Sequence, residues 1–146
     1  MRPLKQVARF ALLVLALCVA GIGYAGEPLD SIDSQLDQCL SVPDNASTGG
    51  QTDCIGKAQK DWDKRMNHAY AQLMRELPSA PASSLRVAQR TWLTFRDAES
   101  KAQLDFYTTR HGTMYVPMEA NAVMTLTRDR ARQLEAYVST LNIEGP

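Results

Sequence analysis

The side chains best placed to do chemistry lie in AQRTWLTFRDAES, residues 88–100, where Gln89, Trp92, Arg96 and Asp97 stand among apolar neighbours. An amide, an aromatic ring and an Arg-Asp pair are the tools of a binding site. They are also the tools of a polar seam along a small helical core, where buried donors and acceptors need partners. Two further candidates lie nearby: Glu99 as a general acid, and His68 as a lone imidazole in RMNHAY.

Glu99-Ser100 resembles the Glu-Ser that opens the catalytic motif of some lytic transglycosylases. The cleft signatures that should follow do not appear in KAQLDF, so glycan cleavage is set aside. His68 has no evident partner and is read as a surface or boundary residue. No nucleophile elbow, phosphate loop, zinc-binding helix or dinucleotide fingerprint is present. His68 and His111 share no ligand spacing with each other or with the cysteines, so no metal and no cofactor are expected, and no catalytic residue is assigned.

The elements that must position these residues are helical. Leu29, Ile32, Leu36 and Cys39 or Leu40 recur at steps of three or four, with Asp30 or Ser31 as cap, and predict a short first helix. VPDNASTGG, residues 42–50, reads as turn. A second helix is expected from about Thr52 to Leu77, with Cys54, Ala58, Trp62, Met66, Ala69 or Tyr70, Leu73 and Leu77 on its inner stripe. Pro78 and Pro81 break it, leaving Ser83 or Ser84 to cap a third helix whose apolar stripe is Leu85, Ala88, Trp92, Phe95, Ala102 and Phe106. Gly112 stops that helix and Pro117 starts the last, with Met118, Ala122, Leu126, Ala131 or Leu134, Val138 and Leu141 on one side. The expected fold is all-α: a small antiparallel bundle of three long helices plus a short N-terminal one.

The first 25 residues read as a secretory leader rather than fold: Arg2, Lys5 and Arg9, then FALLVLALCVA, with cleavage after Ala25. The uncharged run is shorter than the roughly 20 residues a spanning helix needs, so no stable membrane span is expected after cleavage. Leu17 sits where a lipid-attachment signal wants a small residue, which disfavours lipidation at Cys18. Residues 26–146 then form one domain in the periplasm or outside the cell. The chain has 16 basic and 16 acidic residues, and the leader takes three bases, leaving 13 against 16. Glu27, Asp30, Asp33, Asp37, Asp44 and Asp53 all precede Lys57, an acidic face that could meet a basic protein partner. There is no basic excess and no aromatic-basic interleaving, so nucleic acid is not an expected partner. In an exported chain Cys39 and Cys54 are expected to pair, stapling the first helix to the second for about 3 kcal/mol in the chain-entropy model.

Taken together, KAQKDWDKRMNHAY after Cys54, AQRTWLTFRDAES, Gly112-Thr113 and LTRDRARQL resemble the lysozyme inhibitor LprI-like N-terminal domain family over about Leu36 to Leu141. The motif residues are Trp62, Asp63, Asn67, Tyr70, Gln89, Trp92, Arg96, Asp97, Gly112, Thr127, Arg130 and Leu134, read here as structural. The resemblance implies a small exported or lipid-anchored helical protein that inhibits lysozyme by binding, without catalysis. Family members commonly carry a second cysteine pair, whose places here hold Ser100 and about Ala122, so the 108–116 loop is expected to be freer. Arg110, His111, Met114 and Tyr115 on that loop are the expected contacts for lysozyme or another cell-wall hydrolase. An immunity or accessory protein for a different cell-wall-active partner is the alternative. Along the seam, Arg96 is expected to pair with Asp63, and Asp97 with Arg130.

Overall fold

The computed structural model describes residues 30–144, so the expected leader, Cys18, Glu27, Pro28 and Leu29 lie outside it. Four helices follow in order, α1 (Ser31–Ser41), α2 (Thr48–Glu76), α3 (Ser79–Thr108) and α4 (Tyr115–Glu144), with a short 3-10 turn at Pro43–Asn45. Asp30 caps α1 by accepting from the Ile32 amide at 2.9 Å. The inner faces supply one core of Ile32, Leu36, Cys54, Ile55, Ala58, Trp62, Met66, Ala69, Leu73, Met124, Ala131 and Leu134. Cys39 and Cys54 form a disulfide, with Cα atoms 5.8 Å apart, that ties the end of α1 to the start of α2.

Consecutive helices run antiparallel, yet the closest pairing is between α2 and α4, which run parallel with α3 as their crossover. Gln59 meets Thr127 and Arg65 meets Glu135, 68 and 70 residues on in sequence. α1 lies against this pair, and α3 leans on it with fewer contacts.

Several boundaries differ from expectation. α2 starts at Thr48, because Ser47 accepts from the Gly50 amide at 3.1 Å and caps a turn that the glycines were expected to keep open. Gly50 is needed there: a Cβ would sit 2.7 Å from Asn45 Cα. α3 starts at Ser79 rather than beyond Pro81, since a proline in the first turn forfeits no intrahelical bond. For the same reason α4 starts at Tyr115 and holds Pro117 in its first turn.

The apolar face of α3 is rotated from the expected one. Ala82 and Gln89 are buried, and Leu85, Trp92, Arg96 and Gln103 are half-buried, whereas Ala88, Phe95, Ala102 and Phe106 face water. On α4, Met124 and Thr127 enter the core and Met118 is exposed. Each buried row holds a residue bonded to a neighbouring helix, Gln89 to Arg130 and Thr127 to Gln59.

Candidate functional site

Two assemblies hold the residues singled out by sequence. The first runs along the middle of the bundle and is built on the two tryptophans. Trp62, on the inner stripe of α2, has no exposed surface. Arg65 lies 4.6 Å from its ring centroid, one turn further along α2, and Arg132 of α4 lies 5.1 Å away. Both guanidiniums are matched by carboxylates. Arg65 donates to both oxygens of Glu135 at 2.8 and 2.7 Å and also to Asp30. Arg132 bonds Asp33 at 2.6 Å, and Arg128 stands 3.7 Å from the same carboxylate. The bonds Arg65 donates to Glu135, opposed by burial and aided by Asp30, raise its pKa above the ordinary arginine value. Burial pushes Asp30 up, but its bonds from Arg65 and the Ile32 amide together hold it below the usual carboxylate value.

Trp92 of α3 is the counterpart, half-buried, with Arg96 5.5 Å and Arg130 5.8 Å from its ring centroid. Arg130 is 8% exposed, and burial, opposed by Tyr137, pulls its pKa below the ordinary arginine value. Its Nε donates to Gln89 Oε1 at 2.9 Å and its Nη1 to Gln133, while Nη2 has no partner among the described residues. The Gln89 amide donates in turn to Met66 Sδ at 3.7 Å, which links this cluster to the core of α2.

The expected Arg96–Asp63 pair stands at 3.9 Å, and Asp63 also accepts from Asn67 at 3.0 Å. The expected Asp97–Arg130 pair is replaced: Asp97 accepts from its neighbour Arg96 at 2.8 Å, and Arg130 takes the neutral Gln89 instead. Asp97 projects from α3 to water while Gln89 faces inward, so only the glutamine can reach Arg130. Thr127 and Leu134 have no exposed surface, Thr127 accepting from Gln59 at 2.9 Å, and Tyr70 packs beside the core. His68 is exposed, and Glu99 accepts from Gln103 at 3.3 Å.

The second assembly is the end of the bundle where α1 finishes, α2 and α4 begin, and the α3–α4 connection turns. The turn passes through Gly112, whose φ of 121° lies in the left-handed region. On one side of it a groove of about 490 Å³ is lined by Leu40, Ile55, Met114, Pro117 and Met118, with Gln51 and Asn121 as polar groups. On the other side a hollow of about 170 Å³ is lined by Tyr107, Arg110, Tyr115 and Glu119. The four expected contact residues are therefore split. Met114, 62% exposed, lines the groove; Arg110 and Tyr115 line the hollow; His111, also exposed, lines neither. Arg110 sits 4.9 Å above the Phe106 ring, and the Tyr107 and Tyr115 rings are 6.5 Å apart.

The acidic N-terminal face is smaller than its sequence promised, because Asp30 and Asp33 are spent on Arg65, Arg128 and Arg132. Asp37, Asp44 and Asp53 remain exposed. Sequence reasoning passed over Arg65, Arg132 and Glu135, although Arg65 stands one turn from Trp62 and Arg132 three residues from Glu135. It also passed over the groove wall, where the signal was Met114 and Met118, four residues apart. Among the described residues no group of three or more His, Cys, Asp or Glu could hold a metal ion, and no helix is long and apolar enough to cross a membrane.

Comparison with known proteins returns the model of the family described as lysozyme inhibitor LprI, matching residues 39–134. No curated protein matches the chain. Among solved structures, a crystal structure of an uncharacterized protein from Burkholderia thailandensis is similar at 32% identity and a TM-score of 0.70. The match covers 75% of this chain and 54% of that one, so this chain spans about half the length of the structure it resembles.

Proposed function

Since the chain belongs to the lysozyme inhibitor LprI family, we propose that it is an exported, non-catalytic inhibitor that binds lysozyme or another cell-wall hydrolase through the end of the bundle carrying the Gly112 turn. One observation carries the choice of surface. Exposed apolar side chains gather there around a groove: Leu40 at 37%, Met114 at 62% and Met118 at 44%. Methionines beside amide side chains make an adaptable contact surface. The groove has firm walls, since the disulfide holds α1 onto α2 beside Leu40 and Ile55, and Pro117 is buried in the first turn of α4. The disulfide also suits an oxidising compartment. The acid excess would favour approach to a basic enzyme, with Asp37, Asp44 and Asp53 as its free carboxylates.

The test is inhibition of lysozyme on a suspended cell-wall substrate, titrated with the processed protein. Inhibition should saturate near one equivalent. Met114→Asp together with Met118→Asp should weaken it by about tenfold or more, as loss of a central apolar anchor does. Unchanged lysozyme turnover at micromolar excess, at both low and moderate salt, would sink the reading. Full inhibition by the double variant would move the contact surface elsewhere.

A further inference from the structure

Glu119, in the second turn of α4, is half-buried, and its side chain has no ion pair or hydrogen bond among the described residues. In this it stands apart. Every other half-buried carboxylate among the described residues meets a donor: Asp30, Asp33 and Glu135 an arginine, Asp61 a lysine, Asp63 and Glu99 an amide. Taking a carboxylate partly out of water costs free energy that an unpaired group does not recover within its own chain. A cation from outside would recover it.

Glu119 lines the hollow of about 170 Å³ together with Tyr107 and Tyr115, both half-buried, whose rings tilt by 39° with centroids 6.5 Å apart. Aromatic rings and a carboxylate around one small space select a cation, because the ring quadrupole attracts it and the carboxylate neutralises it. The chain contains the same combination complete elsewhere. Arg65 lies over Trp62 and bonds both oxygens of Glu135, and Trp92 and Phe106 also hold arginines. No cation of this chain lies over Tyr107 or Tyr115 among the described residues. Arg110 lines the hollow but sits over Phe106 at 4.9 Å and does not pair with Glu119.

We propose that this hollow receives one arginine side chain of a protein partner, its guanidinium packed on the tyrosine rings and bonded to Glu119. Arginine suits the site better than lysine, since its planar group can lie on a ring and present an edge to a carboxylate at once. The site would be a second anchor, across the Gly112 turn from the methionine groove, and to that extent rests on the reading of this end as the contact surface. Arg110, of like charge at the rim, opposes entry.

The hollow is tested first without lysozyme. N-acetyl-arginine methylamide, titrated into the isotope-labelled processed protein, should give saturable NMR shifts at the Tyr107, Tyr115 and Glu119 amides, in the millimolar range. The glutamine analogue should give none. Glu119→Gln should weaken the probe about tenfold with the helical circular dichroism unchanged, and Arg110→Ala should strengthen it. No saturable shift at these residues, one that survives Glu119→Gln undiminished, or loss of binding in Arg110→Ala overturns the proposal. With lysozyme, Glu119→Gln should raise the dissociation constant about tenfold, and by more at low salt than at moderate salt. Equal binding of lysozyme to both forms overturns the proposal and leaves contact to the methionine groove. Absence of lysozyme binding by the unaltered protein sinks the earlier reading alone, and the probe titration then decides this one.

Discussion

The two tryptophan clusters share one plan and differ in how their charge is balanced. Each ring lies between two guanidiniums, one from α4 and one from its own helix. Around Trp62 both arginines meet carboxylates, Arg65 bonding Asp30 and Glu135, and Arg132 bonding Asp33. Around Trp92 the buried Arg130 is met by two glutamines, and the paired arginine, Arg96, bonds an Asp97 side chain that is 70% exposed. At the Trp62 end, where α1, α2 and α4 converge, both stacked cations thus have a carboxylate partner. The Trp92 end keeps one cation under cover without a carboxylate, where a guanidinium contributes less than its desolvation costs unless its geometry and bonding are complete. Similar stacking therefore does not imply similar stability.

The largest effect should separate the rings themselves. Trp62→Ala removes a side chain with no exposed surface and should cost about 3–5 kcal/mol, whereas Trp92→Ala, half-buried, should cost about half as much; denaturant unfolding of both variants measures the gap. Equal losses would break the comparison. The arginines should differ more informatively. Arg65→Met breaks two ion pairs and should destabilise by about 1–2 kcal/mol, allowing for the third of its side chain that water reaches. Arg130→Met combined with Gln89→Leu removes a cation with an unbonded Nη2 and the amide that would be orphaned by its loss, and should change stability by no more than about 1 kcal/mol in either direction.

The smallest effect is in acid. The folded pKa of Asp30 lies below its ordinary value of 3.8, so its contribution is fully present above that value and is lost as pH falls through the folded pKa. Stability should therefore drop below about pH 4, and Asp30→Asn should flatten that drop while lowering the neutral-pH plateau; urea midpoints taken from pH 2 to 7 follow both. An unchanged slope in the variant would assign the acid response to other carboxylates.

How much of this was legible depended on whether a helix has one apolar face or two. The inner stripe of α2 is nearly the one its periodicity predicts, because polar residues occupy the rest of the helix, and the Cys39–Cys54 bond follows the cysteine count. α3 misled because Ala88, Phe95 and Ala102 form a more apolar row than Ala82, Gln89 and Arg96, yet the second row faces the bundle. Periodicity finds stripes but does not say which of two stripes a neighbour occupies. Gln89 turns inward to meet Arg130 and Met66, partners that lie 41 and 23 residues away and leave no local signal. At the Gly112 turn the sequence marked the loop, while the groove beside it needed Leu40 and Ile55, which only the tertiary arrangement brings to Met114.

The parallel alignment of α2 with α4 also bears on how the chain reaches its structure. Two helices joined by a tight turn can zip together from that turn, but α2 and α4 meet through contacts some 70 residues apart in sequence. Closing that span as loose chain carries an entropic penalty that formation of α3 as a rod removes in advance. α3 then serves as scaffolding during assembly, and its helix propensity should set the pace of folding even at positions whose side chains touch nothing in the finished chain.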